Sequence, residues 1–169
     1  MSIDLRAVIQ NPGSRLPFRR ELTADRLNSP SVVSFIEPPV GEGVIANNAG
    51  ALTLRGSITA ALRCVCDRCT AEFEKRVDIP LEVPLATELQ DEENPDYFLL
   101  EGDELDIDDL LESGYILNMD SQFLCREDCK GLCPRCGADL NDGPCNCGKE
   151  LDPRLAVLEQ LLDDIDQTI

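Results

Sequence analysis

Nine cysteines and no histidine among 169 residues decide what chemistry this chain can do. Histidine-based catalysis is excluded, and any zinc site must be built from thiolates or carboxylates. Six of the thiols are crowded into residues 125–147: Cys125, Cys129, Cys133, Cys136, Cys145 and Cys147. The tightest unit is Cys133-Pro134-Arg135-Cys136-Gly137. Two residues between cysteines let a turn aim both sulfurs at one ion. Tetrahedral zinc, with bonds near ~2.3 Å, needs its sulfurs roughly 3.8 Å apart. Gly137 can take the positive φ that such a turn demands. Its small size also lets backbone N–H groups approach the thiolates. Cys145-Asn146-Cys147 supplies a second pair, and the turn-rich stretch 138–144 can bring the pairs together. The first predicted metal site is therefore Cys133, Cys136, Cys145 and Cys147. Four thiolates around a dication leave a net charge of −2, which Lys130, Arg135 and Lys149 are placed to offset. The segment has too few apolar residues to bury reduced cysteines, so metal binding is the reading.

The remaining pairs predict a second site. Cys66-Asp67-Arg68-Cys69 has two-residue spacing and Cys125-Arg126-Glu127-Asp128-Cys129 has three. Joined, they would pin distant parts of the chain to one ion. Cys64 is left over as a core residue. One alternative draws Cys129 or Cys125 into the first site in place of Cys145 or Cys147. Zinc, one or two ions, is the default metal. A rubredoxin-like iron site prefers two Cys-Pro-x-Cys-Gly turns and only one is present, while an all-cysteine iron–sulfur cluster stays open as an alternative. A catalytic zinc is disfavoured because such sites keep an open position beside histidine or carboxylate ligands. No phosphate loop, nucleophile elbow or dinucleotide fingerprint is present, so the chain reads as a non-enzyme without a small-molecule substrate. The rival mechanism is a thiol-based redox or metal sensor whose labile zinc thiolates oxidise and release metal. A zinc-stabilised transcription adaptor is a third option, which the net charge of −18 opposes.

The elements that must carry these thiols are legible as an α+β chain. From Leu52 to Cys66, Leu52, Leu54, Ile58, Ala60, Leu62, Cys64 and Cys66 share one face, the mark of a half-buried strand. Val77, Ile79, Leu81, Val83 and Leu85 alternate in a second run. Pro80 and Pro84 lack N–H donors and place it at a sheet edge or end it in a bulge. The two runs predict a long hairpin with Cys66 and Cys69 near its turn. Shorter strand candidates are Ile3–Ile9, Ser31–Ile36 and Gly43–Asn47, separated by Gly41, Gly43 and Gly50. The expected body is an antiparallel sheet or small barrel. Residues 91–95 read as a solvated linker. A short amphipathic helix follows, with Ile107, Leu110, Leu111 and Leu117 on its apolar stripe and Asp106, Asp108 and Asp109 at its N-terminus. After the cysteine-rich loop, Asp152-Pro153 opens a last helix whose stripe is Leu155, Leu158, Leu161, Leu162 and Ile165. The predicted organisation is a β-rich body over 1–86, an acidic linker and helix over 87–124, and the metal loop with the terminal helix over 125–169, folding as one compact domain with the body.

Charge is split along the chain. Residues 1–86 hold 10 bases and 10 acids; residues 87–169 hold 5 bases and 23 acids. The acidic half suits a basic protein partner and repels phosphate backbones. If RNA is touched, Arg6, Arg15, Arg19, Arg20 and Arg26 are the candidates, although Asp4, Glu21 and Asp25 interleave with them as on an ordinary charged surface. No apolar run approaches the ~20 residues of a membrane span, and the N-terminus lacks a signal peptide's apolar stretch. The expected location is the cytoplasm, where thiols stay reduced.

The ordered series Cys66-Asp67-Arg68-Cys69, then Cys129-Lys130-Gly131-Leu132-Cys133-Pro134-Arg135-Cys136-Gly137-Ala138-Asp139-Leu140-Asn141 and Cys145-Asn146-Cys147, resembles the bacterial YceD family of large ribosomal RNA subunit accumulation proteins. The closing Asp152-Pro153-Arg154-Leu155-Ala156-Val157-Leu158 matches that family's ending. The resemblance runs through most of residues 50–165. It implies a process, support of large-subunit ribosomal RNA accumulation and ribosome biogenesis, and a ribosomal protein or large-subunit assembly component as partner.

Overall fold

The structure is a computed structural model that describes residues 2–27, 29–87 and 97–147. In chain order the elements are β1 (Ser2–Asp4), α1 (Arg6–Gln10), β2 (Arg15–Glu21), a 3-10 turn (Ala24–Arg26), β3 (Val32–Asn48), β4 (Ala51–Val65), β5 (Glu72–Ala86), β6 (Phe98–Leu99), β7 (Glu104–Asp106) and α2 (Ile107–Asn118). The chain divides into two units, Met1–Cys129 and Lys130–Ile169. All named strands and helices belong to the first.

The predicted hairpin is its backbone. β4 and β5 pair antiparallel from Leu52↔Leu85 to Val65↔Glu72. The apolar residues of their shared face, Leu54, Ile58, Leu62, Cys64, Ile79, Leu81 and Leu85, are buried, and the intervening Arg55, Glu74 and Glu82 are exposed. The five-stranded sheet has the order β2-β3-β4-β5-β6, and β1 pairs with β7 in a separate ribbon. Among the described residues β6 pairs with β5 at Leu85↔Phe98 and Ala86↔Leu99 alone. Pro80 therefore sits on a free stretch of β5, where a missing N–H costs no ladder bond.

β3 corrects the short-strand expectations. Ser31–Ile36 and Gly43–Asn47 are not separate strands; both segments run into one strand of 17 residues. Its pairing with β4 shifts register between Val32 and Ser34, Phe35 and Glu37, and Glu37 and Val40. The last shift spans Pro38 and Pro39, which cannot donate to a ladder and are absorbed as a bulge. Gly43 lies within the strand opposite Gly56. A Cβ on Gly56 would fall 2.2 Å from the Glu42 carbonyl oxygen, so this close backbone approach admits only glycine. Ile3–Ile9 is likewise not a strand: β1 ends at Asp4 and α1 begins at Arg6. The α1 carbonyls of Val8 and Ile9 accept from Asn47 Nδ2, and Asn47 Oδ1 accepts from Gly50 N–H in the β3–β4 turn.

α2 forms as its sequence predicts at the start and departs from it at the end. The Asp106 carboxylate caps it, accepting from the N–H groups of Asp108 and Asp109. Ile107, Leu110, Leu111 and Tyr115 are fully buried in one core cluster with the inner faces of β4 and β5. Leu117 is 81% exposed, because Gly114 and Tyr115 take the core-facing positions of the last turns. Leu81 lies close against Gly114, where an added Cβ would come within 2.9 Å of it. Two ion pairs fasten the same helix: Arg20 to Asp108 at 2.7 Å and Arg26 to Glu112 at 2.9 Å. The predicted terminal helix, the linker 91–95 and Lys149 lie outside the described residues.

Candidate metal centres

Each unit contains a thiol tetrad, and each tetrad begins with the same turn. In the first unit, Cys66 N–H donates to Ala71 O at 2.9 Å and Thr70 N–H donates to Cys66 O at 2.9 Å. In the second, Cys133 N–H donates to Ala138 O at 2.8 Å and Gly137 N–H donates to Cys133 O at 2.9 Å. The residue after the second cysteine takes positive φ in both knuckles, +60° at Thr70 and +71° at Gly137. The glycine signals this turn in the sequence. Thr70 does not, because a β-branched residue rarely adopts that conformation and does so mainly where surrounding contacts impose it.

The hairpin tetrad joins the β4–β5 knuckle to Cys125 and Cys129. The four sulfurs of Cys66, Cys69, Cys125 and Cys129 all lie within 4.8 Å of one another. Cys66 and Cys129 sulfurs are 3.8 Å apart and those of Cys69 and Cys125 3.6 Å, close to the edge of a zinc–thiolate tetrahedron. Cys66, Cys69 and Cys129 are buried. Two groups outside the tetrad hold the far segment in place. Asp67 accepts from Phe123 N–H at 2.6 Å, and Arg68 Nη1 donates to Cys129 O at 2.8 Å. Sequence reasoning singled out neither, since the two intervening positions of such a motif carry no pattern of their own. Cys64 is fully buried in the hydrophobic core, outside the tetrad, and burial pushes its thiol pKa up.

The loop tetrad is Cys133, Cys136, Cys145 and Cys147, again with all four sulfurs within 4.8 Å. Of the ligand sets left open by the sequence, the structure gathers this one, with Cys125 and Cys129 in the other group. Cys133 is buried, Cys136 is exposed, and Cys145 and Cys147 are half-buried. Its frame is local. Leu132 pairs with Asp139 in an isolated bridge, and Leu140 N–H donates to Gly131 O at 2.9 Å. Asn141 Oδ1 accepts from Lys130 N–H, and its own N–H donates to Asp139 Oδ1, both at 2.8 Å.

The donor sets suit a thiophilic dication. Burial pushes the Cys66 thiol up, but backbone N–H groups of Cys125, Cys69 and Arg68 bring it down to about 6. N–H groups of Cys136 and Arg135, then the Cys145 thiol, bring Cys133 to about 6 as well. Cys125 is pushed up to about 12, by burial and then by its thiol neighbours. Cys147 reaches about 12 as well, through its hydrogen bond with Cys136 first and burial second. Crowded thiolates repel one another, so one thiol in each group ionises readily and another resists. A dication would remove that conflict and displace the remaining protons. Each tetrad could hold a metal ion.

The five arginines do not converge on a comparable centre. Arg6 pairs with Asp4, Arg19 with Glu42, Arg20 with Asp108 and Arg26 with Glu112. Arg15 is exposed at the start of β2. No helix among the described residues is long and apolar enough to cross a membrane.

A family model described as large ribosomal RNA subunit accumulation protein YceD matches residues 54–162, more than half of the chain. The chain belongs to the YceD family. The match contains all eight tetrad cysteines and none of the five arginines. Uncharacterized proteins of Mycobacterium tuberculosis (Rv2926c) and Mycobacterium bovis (Mb2951c) are each 23% identical over 181 residues, covering 100% of this chain and 84% of their own length. No solved structure gives a significant match. YceD family membership points to a role in accumulation of the large-subunit ribosomal RNA, a process for which the family description names no reaction.

Proposed function

We propose that this YceD family member is a non-enzymatic cytoplasmic factor for ribosome biogenesis that binds zinc at both tetrads: Cys66, Cys69, Cys125 and Cys129, and Cys133, Cys136, Cys145 and Cys147. The observation that carries the reading is the convergence of eight thiols into two four-sulfur groups within a family described by ribosomal RNA accumulation. The partner is a basic ribosomal protein or large-subunit assembly component, engaged by the acidic half of the chain. Ribosomal RNA is the second candidate partner. Its contact through Arg6, Arg15, Arg19, Arg20 and Arg26 has weaker support, because four of the five already face carboxylates. Native mass spectrometry of protein purified under reducing conditions should find two zinc ions per chain, and pull-down should retain a large-subunit component in a salt-sensitive manner. A metal-free chain, or one that retains no large-subunit component, overturns the reading.

One observation favours a second reading for one centre. Cys136 is exposed and its tetrad is closed only locally, the setting in which zinc thiolates oxidise and release metal. The loop tetrad would then be the labile centre of a redox or metal sensor. Peroxide titration followed by zinc release separates a labile centre from a scaffold.

A further inference from the structure

We infer that Asp67 is the positioning residue of the hairpin tetrad, holding the Cys125–Cys129 segment in register with the β4–β5 knuckle so that four thiols are presented together to an incoming ion. The inference rests on the metal-binding reading proposed above.

Asp67 is one of the two residues between Cys66 and Cys69, yet it is not part of either four-sulfur group. Both of its carboxylate oxygens are committed elsewhere. Oδ1 accepts from Ser31 Oγ at 2.5 Å, just before β3. Oδ2 accepts from Phe123 N–H at 2.6 Å, two residues before Cys125. The Asp67 N–H donates back to Phe123 O at 2.8 Å, so the two residues exchange a reciprocal pair of bonds across 56 positions of sequence. The anchor is firm at the other end, because Phe123 is 1% exposed and belongs to the core cluster, with the Lys75 ammonium 5.3 Å from its ring centre. Lys75 in turn pairs with Asp120 at 2.7 Å. From Phe123 the chain has two residues in which to reach Cys125 and six to reach Cys129, whose carbonyl is caught by Arg68. Bringing distant segments together has an entropic cost that a metal ion would otherwise have to meet from its own binding energy. A charge-assisted bond of this kind meets part of it beforehand. Removal of a group bonded directly to a metal ligand weakens metal affinity by about 10–100-fold, which sets the scale for a residue that acts on Cys125 and Cys129 through Phe123.

Full-length Asp67→Asn and Ser31→Ala proteins test this. Each is loaded with zinc under reducing conditions, titrated with a chelator, and read by native mass spectrometry with alkylation of the released thiols to identify the emptied tetrad. Asparagine keeps the shape but weakens acceptance from Phe123 N–H. Asp67→Asn should lose the hairpin ion at about 10–100-fold lower chelator, Ser31→Ala should show a smaller shift in the same direction, and the loop ion should be released as in the unaltered protein. Cobalt in place of zinc supplies a readout that general loss of stability would not move. The thiolate-to-cobalt absorption of the hairpin ion should change in Asp67→Asn while circular dichroism of the metal-free protein stays the same. An unaltered protein with two ions beside an Asp67→Asn protein that releases both identically overturns the inference and leaves the metal reading standing. An unaltered protein without metal overturns the metal reading beneath it. If Asp67→Asn does not fold, Ser31→Ala decides: hairpin-ion affinity equal to that of the unaltered protein overturns the inference.

Discussion

The hairpin tetrad and the loop tetrad start from the same turn and are completed by different means. At the hairpin, Cys69 meets Cys125 across 56 positions and Cys66 meets Cys129 across 63, with three of the four thiols buried. In the loop, all four cysteines come from the fifteen residues Cys133–Cys147, and one of them is exposed. A long-range closure would tie metal occupancy to the packing of the whole first unit, because an ion bound only by the folded chain adds its binding energy to folding. A short-range closure shapes only its own loop. Identical local chemistry can therefore serve as a structural tie in one place and as an exchangeable centre in another. What separates them is where the second pair of ligands comes from.

Replacing one ligand in each tetrad should break the symmetry most sharply. Cys129→Ser should lower the unfolding midpoint of the first unit by roughly 10 °C or more, and Cys145→Ser should leave that midpoint within roughly 2 °C, both followed by calorimetry of zinc-loaded protein. Equal shifts would erase the distinction. Oxidation gives the next largest contrast. Under graded peroxide with a zinc indicator, the loop thiols should be modified first, led by Cys136, with the hairpin thiols protected until the first unit opens. Peptide mapping of the modified cysteines checks the order.

The knuckles themselves allow a finer comparison. Thr70→Gly should stabilise the hairpin knuckle by about 0.5–1 kcal/mol, because it relieves a β-branched residue at φ +60°. Gly137→Ala should cost about 1 kcal/mol at the equivalent position of the loop, seen as a shift in the chelator midpoint. The smallest effect lies away from both centres. The Arg20 guanidinium beside Asp108 holds its carboxyl below the usual 3.8. A depressed carboxyl stabilises the fold above its ordinary value, and that contribution disappears as pH falls through the still lower folded value. Asp108→Asn should thus cost no more than about 1 kcal/mol near neutral pH, and the gap should close in urea titrations run well below pH 4.

How much of this was legible beforehand depended on whether a signal was local. The cysteine pairs announced themselves through spacing, but spacing left open which pairs share a centre, and the grouping into two tetrads is read from the structure. β4 and β5 were legible because apolar residues recur at alternate positions through Leu52–Cys66, with a gap at Gly56, and through Val77–Leu85. β3 was obscured by Pro38-Pro39 and by Gly41 and Gly43, which resemble breaks but act as a bulge and as points of close packing. α1 is a five-residue helix, too short to show a period against the strand-like Ile3–Ile9. Leu117 fits the helical spacing arithmetically, yet Tyr115 fills the inner face of that turn. The ion pairs of Arg20 and Arg26 and the Asp67–Phe123 exchange join residues 56 or more positions apart, so nothing in their neighbourhoods discloses them.

The 56 positions between Cys69 and Cys125 also set a clock on biosynthesis. A ribosome adding about 5–20 residues per second needs roughly 3–11 s to make that stretch. Throughout it Cys66 and Cys69 lack the second pair of thiols that completes their tetrad. Capture of an ion by all four hairpin thiols would have to wait for Cys129 to be synthesised and to emerge, which would make it a late event in the maturation of the first unit.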